Sequence, residues 1–177
     1  LEAIQVQVVP KDADFTGSTD MPFASTFLNC QTHVQDYGWQ DAVHNGGTSG
    51  TTGQSKRLEG IKIVLSGLET PGSIRYQTHI QGYGWERDWK YNGALSGTTG
   101  ESRRLEAIRI QLDGEIADSY DVYYRVHAQE FGWMDWAKNG GGAGTAGYSY
   151  RLEAIQVQLV KKGDPAPGPM DGAFRQQ

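Results

Sequence analysis

Apolar and polar positions alternate along this chain in strand-like stretches that recur three times. In the third of them, Val122, Tyr124 and Val126 alternate with Tyr123 and Arg125. A period of two is the pattern of a half-buried β-strand. After a glycine-rich interval, each opening stretch is followed by a closing stretch of the form Arg-Leu-Glu-Ala/Gly-Ile-x-Ile/Val-x-Leu. No stretch of ten or more residues has a helical period with a cap, so the pattern predicts an all-β fold.

The strands belong to a tandem repeat. The arginine that precedes each closing stretch recurs as Arg57, Arg104 and Arg151, evenly spaced by 47 residues. Between the two stretches, every copy has a Gly-Trp corner, an Asn-Gly turn and a GTTG or GTAG segment. Asn-Gly is a strong turn signal because both residues tolerate positive φ. The sequence thus predicts a three-repeat domain over residues 26–160, with repeats at about 26–67, 72–114 and 119–160.

Three repeats of this size predict a closed architecture. A single repeat cannot bury its apolar face, whereas three can share one core about a pseudo-threefold axis. A β-prism of three sheets and a β-trefoil of hairpins both satisfy this condition. Strands of eight to ten residues exceed the usual five or six, which favours the prism. In either fold, we expect Ile61, Ile108 and Ile155 to lie close to the axis.

The two ends of the chain lie outside the repeats. The segment LEAIQVQVV at residues 1–9 reproduces the closing stretch RLEAIQVQLV of the third copy. It predicts an ordered extra closing strand, either docked on this module or paired with a neighbouring subunit. The apolar residues of this self-association segment are Leu1, Ile4, Val6 and Val8. Residues 10–25 read as a connection, and the Pro- and Gly-rich residues 161–177 read as a linker or tail.

The repeat resembles the ChW family, the clostridial hydrophobic repeat with a conserved tryptophan. The resemblance rests on Gly-Trp, a second tryptophan three or four residues later, then Asn-Gly, Gly-Thr-Thr-Gly and Arg-Leu-Glu-Ala-Ile-x-Ile-x-Leu. It covers most of residues 28–159. ChW repeats occur in secreted and surface-attached bacterial proteins, often in groups of three. The resemblance implies an extracellular, non-enzymatic module that attaches to cell walls, glycans or partner proteins. The alternative is a structural subunit of an extracellular fibre or surface assembly, joined by β-strand addition.

The composition of the chain excludes several classes of partner and site. The net charge is −5 and the pI about 5.3, which disfavours a nucleic-acid partner because phosphate contacts need positive charge. No apolar run approaches the roughly 18 residues that could span a bilayer. The single cysteine, Cys30, excludes an internal disulfide framework. No second carboxylate matches the repeated glutamate as a glycosidase pair would require, so we expect no catalysis and no cofactor.

Five tryptophans are candidate ligand-binding residues. The corner tryptophan of each repeat either packs over the corner or serves as a stacking platform for sugar rings or peptide side chains. A second tryptophan occurs in two repeats, where the first repeat has Ala42. Because a tryptophan-to-alanine change in a core costs about 3–5 kcal/mol, this second position is expected at an exposed rim. The corner residues are Trp39, Trp85 and Trp133, and the second-position residues are Trp89 and Trp136.

Three histidines recur on the polar face of the opening strands, at His33, His79 and His127. One histidine per repeat about an axis suggests a metal site, but Arg125 lies two residues from the third and would repel a cation. We therefore expect hydrogen-bonding surface or ligand-contacting histidines and no metal. In the closing strands, the arginine and the glutamate two residues later lie on one face and should form ion pairs.

Overall fold

A computed structural model describes residues 28–67 and 70–177. The strand expected at residues 1–9 and the connection expected at 10–25 lie outside the described residues. The first repeat contains β1 (Leu28–Val34), β2 (Gly38–Trp39), β3 (Val43–His44), β4 (Thr48–Gly50) and β5 (Leu58–Leu65). The second contains β6 (Ser73–Ile80), β7 (Gly84–Trp85), β8 (Lys90–Tyr91), β9 (Ser96–Gly97) and β10 (Leu105–Asp113). A short helix, α1 (Ile116–Ser119), precedes β11 (Tyr120–Ala128), β12 (Gly132–Trp133), β13 (Ala137–Lys138), β14 (Ala143–Ala146) and β15 (Leu152–Lys161), and β16 (Phe174–Gln176) lies in the tail.

The opening and closing strands of each repeat form the long antiparallel ladders of the fold. β1 pairs with β5, β6 with β10, and β11 with β15. In β1, buried and half-buried residues alternate without exception, as the sequence pattern predicts. The ladders belong to three sheets: β2-β1-β5-β9 with β3, β16-β14-β10-β6-β7 with β8, and β12-β11-β15-β4 with β13.

The repeats exchange short strands in a closed ring. β4 of the first repeat pairs with the closing strand β15 of the third, β9 of the second with β5 of the first, and β14 of the third with β10 of the second. Each exchanged strand has a glycine with positive φ whose Cβ would lie within 2.5 Å of a carbonyl oxygen of the neighbouring closing strand. Only glycine allows this approach. These glycines are Gly50, Gly97 and Gly144.

The Asn-Gly turns join the same pairs of repeats. The Gly46 amide donates a 2.8 Å hydrogen bond to the Val157 carbonyl, and the Asn45 Oδ1 accepts a 2.6 Å bond from the Leu159 amide. Gly93 and Gly140 make the corresponding bonds to Ile63 and Ile110 in the preceding repeats. Each turn therefore satisfies backbone groups of a repeat other than its own.

One continuous hydrophobic core fills the centre. It includes Ile61, Ile108 and Ile155, each only 1% exposed, together with apolar residues from both long strands of every repeat. The prediction of an all-β, threefold repeat module is confirmed. Three sheets around one core correspond to the prism alternative. Within the described residues, no helix has the length and apolar character needed to cross a membrane.

Residues 161–177 were expected to be a linker or a tail, and the structure has them as a packed tail. Its strand β16 runs parallel to β14, and the Trp136 amide donates a 2.8 Å hydrogen bond to the Pro169 carbonyl. The tail can dock on this edge because Gly142 has no side chain: a Cβ there would lie 2.9 Å from the Phe174 ring. The corresponding positions of the other repeats hold Thr48 and Leu95.

Candidate functional site

Each repeat holds the same network of four side chains on its solvent-facing side. His33 and Trp39 are cross-strand partners, and their rings meet edge to face with centroids 5.5 Å apart. The His33 Nδ1 lies 3.1 Å from Oε2 of the buried Glu59, a close contact without good hydrogen-bond alignment. Nε and Nη2 of Arg57 both lie 2.8 Å from the other carboxylate oxygen. The second and third repeats reproduce the arrangement with His79, Trp85, Glu106 and Arg104, and with His127, Trp133, Glu153 and Arg151.

This network neutralises a buried carboxylate. Glu59, Glu106 and Glu153 are each 5% exposed, and a buried charge is tolerated only when it is paired and hydrogen-bonded. The predicted arginine–glutamate pairs are confirmed, and the histidines contact the same carboxylates. Among the described residues, no group of three or more histidine, cysteine, aspartate or glutamate side chains could hold a metal ion. The geometry is that of a structural element repeated three times.

A cation covers one face of each corner tryptophan. Lys62 Nζ lies 4.5 Å from the Trp39 ring centroid, and the Arg109 guanidinium lies 4.2 Å from that of Trp85. In the third repeat the cation comes from the opposite strand, where Arg125 lies 4.8 Å from Trp133. These cations pair across the ladder with glutamines, as Gln31–Lys62, Gln77–Arg109 and Arg125–Gln156. The corner tryptophans thus make intramolecular cation–π contacts that a stacking ligand would have to displace.

The second-position tryptophans differ from each other. Trp89 is half-buried beneath the Arg75 guanidinium, 5.1 Å from its ring centroid. Trp136 is 6% exposed, which corrects the expectation of an exposed rim for this residue. The tail covers it, since a Cβ on Gly168 would lie 3.1 Å from its indole ring. Ala42, in the corresponding position of the first repeat, is exposed.

The most exposed aromatic side chains at equivalent positions lie at the hairpin tips, where the sequence reasoning did not place a site. Tyr37, Tyr83 and Phe131 are 53%, 60% and 43% exposed, and each directly precedes the Gly-Trp corner. Their amides close tight turns onto the carbonyls of Val34, Ile80 and Ala128. The sequence does carry a signal for these residues, because an aromatic residue directly precedes every Gly-Trp. We call these three residues the tip aromatics.

Residues from the segment before each closing strand flank the tip aromatics. The Tyr37 hydroxyl donates a 2.9 Å hydrogen bond to Gln54, and Lys56 lies 5.8 Å from its ring centroid. Lys56 also bonds Asp36, and that hydrogen bond lowers the pKa of the Asp36 carboxyl. In the second repeat, Tyr83 donates a 3.0 Å hydrogen bond to Glu101, and the Arg103 guanidinium stacks on the ring at 4.1 Å.

The third tip has aromatic neighbours in place of polar ones. Phe131 meets Tyr148 and Tyr150 edge-on, with centroids 6.1 and 5.9 Å away. The two tyrosines stack on each other at 5.8 Å with 28° between their planes. They occupy the positions that Glu101 and Arg103 hold in the second repeat. We call Phe131, Tyr148 and Tyr150 the aromatic cluster.

Cys30 is not a reactive thiol. It is 2% exposed in the core, and burial raises its pKa to about 12. The thiolate is the nucleophilic form, so the side chain stays protonated and inert at neutral pH. In the other repeats its position holds Tyr76 and Tyr124, whose hydroxyls donate hydrogen bonds to the carbonyls of Ala94 and Gly141.

Three sheets around one core, with an equivalent side-chain network in every repeat, define a closed threefold repeat module. A family model described as ChW, Clostridial hydrophobic W, matches residues 33–67, 79–114 and 127–161, more than half of the chain. The chain belongs to the ChW family. A search of curated proteins and a search of solved structures gave no significant match.

Proposed function

We propose that this chain is a non-catalytic module that acts outside the cell and binds a cell-wall or extracellular polysaccharide. The observation that carries the proposal is the exposed aromatic residue at the same hairpin tip of all three repeats. An aromatic ring stacks on the apolar face of a sugar, and Tyr37 and Tyr83 add a hydroxyl at the rim. The location outside the cell rests on the kinds of protein in which ChW repeats occur.

The closed fold supports binding to a polymer. Ring closure makes the three repeats one body, so the tip aromatics have set positions relative to one another. A polymer that occupies one site raises the effective concentration of its other segments at the remaining sites. Weak single contacts can then give useful avidity. The buried Glu59 and its equivalents are each paired with an arginine. The repeated charged residues therefore give no support for a catalytic role.

The test is co-sedimentation with insoluble cell-wall and extracellular polysaccharides, followed by calorimetry with soluble fragments. A triple variant with Tyr37→Ala, Tyr83→Ala and Phe131→Ala should remain folded and lose sedimentation with the polymer. Tyr91→Ala is the matched control, because Tyr91 is 47% exposed but lies in β8, away from the tips. Equal sedimentation of the triple variant and the wild type would exclude the tips as the binding surface.

A second candidate is a structural subunit joined to its neighbours by β-strand addition. Within the described residues, β4 and β9 end their sheets, whereas the equivalent β14 pairs on its outer side with β16. An open strand edge can accept a strand from another chain. Residues 1–9, with Leu1, Ile4, Val6 and Val8, supply the candidate donor.

Electron microscopy and light scattering of the full chain and of a variant lacking residues 1–9 separate the two functions. Filaments or oligomers that disappear on deletion would support assembly. Monodisperse particles of the same size for both chains would contradict it.

A further inference from the structure

The three tips differ in what covers the exposed ring. Lys56 and Arg103 lie over the rings of Tyr37 and Tyr83, and the hydroxyls of both tyrosines are hydrogen-bonded to neighbouring side chains. A ligand that stacks on the covered face must first displace a cation from a ring that attracts it. We therefore expect these two tips to bind an uncharged ring more weakly than a tip without such a cation.

At the third tip, the side chains that flank the exposed Phe131 ring are the aromatic Tyr148 and Tyr150. Tyr148 and Tyr150 are nearly parallel, and Phe131 stands steeply inclined to both, at 87° and 66°. The rings of the cluster thus lie in two steeply inclined sets of planes. Phe131 is exposed and both tyrosines are half-buried, so a ligand can reach the cluster while the protein holds the rings in position.

A small polar cavity adjoins this cluster. It has a volume of about 200 Å³, and its lining includes Phe131, Trp133, Asp135 and Arg175. Asp135 is held in place because its Oδ2 accepts a 2.8 Å hydrogen bond from the Gly172 amide of the tail. Sites for drug-sized ligands begin at about 300 Å³, so this cavity suits a single ring. A carboxylate acceptor and a guanidinium donor match the hydroxyl groups of a sugar.

From these features we propose that the third repeat carries the main ligand site and that it binds a β-1,4-linked pyranose chain. The equatorial substituents of such sugars leave both ring faces apolar, and the linkage keeps successive rings in an extended ribbon. One sugar stacks on the aromatic cluster, and its neighbour reaches the cavity, where Asp135 and Arg175 bond its hydroxyls. The inference rests on the proposed function and names the repeat and the ligand class.

The position of the ligand can be mapped directly. The ¹⁵N-labelled full chain is titrated with cellohexaose and, separately, with chitohexaose, and backbone amide shifts are followed by NMR. We expect shifts that saturate at Phe131, Tyr148, Tyr150 and Asp135. Saturable shifts confined to Tyr37 or Tyr83 would overturn the assignment of the site.

Variants test the same point by affinity. Tyr148→Ala and Phe131→Ala should each raise the Kd for the hexasaccharide by at least about tenfold, which corresponds to 1.4 kcal/mol. Tyr83→Ala should raise the Kd less than either third-tip variant does. Tyr91→Ala is the matched control, because Tyr91 is 47% exposed in β8, opposite Arg75 and outside the tips, and it should change the Kd less than about twofold, by the same conversion less than half a kcal/mol. Near-ultraviolet circular dichroism and the Tm establish that each variant is folded.

A gain-of-function variant tests the aromatic cluster by the appearance of a new site instead of by a loss of binding. Glu101→Tyr combined with Arg103→Tyr rebuilds the aromatic cluster around Tyr83, and the calorimetric stoichiometry should rise from one toward two. If the stoichiometry stays at one and Phe131→Ala also leaves the Kd unchanged, the role of the cluster is refuted.

The results of these experiments distinguish failure of the proposed ligand site from failure of the proposed function. If alanine at each of the three tip aromatics weakens hexasaccharide binding equally, the third-repeat site is refuted and the proposed function still stands. If both hexasaccharides fail to bind and only another polysaccharide sediments the chain, the ligand class is wrong. Failure of the wild type to bind any polysaccharide would refute both proposals.

Discussion

Replacing Glu106 with glutamine tests the buried network of the second repeat. The substitution keeps the shape of the side chain but removes the charge that lies 2.8 Å from Arg104 and 2.9 Å from His79. Breaking a buried pair by removing one partner costs about 3–5 kcal/mol. The Arg104 side chain is 21% exposed and regains some water, so we expect a loss of about 2–3 kcal/mol. For a chain of this length, that is a Tm decrease of roughly 4–12 °C.

Glu101→Gln is the matched control for this prediction. Glu101 lies just before β10, its side chain is 47% exposed, and its carboxylate is 3.2 Å from Arg103. An exposed pair contributes about 0–1 kcal/mol, so the two substitutions differ mainly in the burial of the carboxylate. The measurement is the free energy of unfolding from urea titrations followed by tryptophan fluorescence. The reasoning fails if Glu106→Gln destabilises the chain no more than Glu101→Gln. Glu59→Gln and Glu153→Gln should behave like Glu106→Gln.

Three further predictions address the core, the tail and the alkaline limit of stability. Ile108→Ala should cost about 2–5 kcal/mol, and hydrogen exchange should show all three repeats opening together; opening of one repeat alone would contradict the shared core. Gly142→Leu should displace the Phe174 ring and release the tail, so that trypsin cleaves the tail faster while the rest stays folded; unchanged cleavage would contradict the packing role of Gly142. Burial raises the pKa of Tyr76 from 10.0 to about 12, so its stabilising contribution is complete below pH 10 and lost as the pH rises toward 12. Tyr76→Phe should therefore flatten the fall in the unfolding free energy over this range, and an identical pH profile would refute the assignment.

The long strands could be predicted from the sequence because their signal is local. Apolar and polar residues alternate over residues 73–77 of β6 and 108–113 of β10, which is long enough for the period to be read. The pairing of Arg57 with Glu59 follows from the same period, since residues two apart share a face. The threefold recurrence of the repeat then limited the fold to a closed threefold arrangement.

The exchange of short strands could not be predicted, because no local signal specifies the partner. β4, β9 and β14 have only two to four residues, too few for periodicity, and each pairs with a different repeat. The recurring glycines were visible in the sequence. The reason for them, a close approach of two backbones, exists only in the closed structure.

The docking of the tail and the side-chain arrangement at the tips could not be predicted, for a related reason. Proline and glycine in residues 161–177 are typical of a linker, and docking depends on Gly142 and Trp136, which are distant in sequence. The aromatic cluster combines Phe131 with Tyr148 and Tyr150 from another part of the repeat. An aromatic residue at one position is visible in a sequence, but its neighbours depend on how the hairpin packs.

The ring of exchanged strands sets the order in which the chain can fold as it leaves the ribosome. β9 meets β5 through the pair Gly60–Gly97, which becomes available once the second repeat has emerged. β4 must wait much longer, because its pairs, such as Gly50–Ala154, involve the last long strand. Until then the first repeat has an open edge, and any chain truncated before β15 keeps that edge exposed to other nascent chains. The third repeat therefore closes the first, and the ring of three repeats is complete only after β15 has emerged.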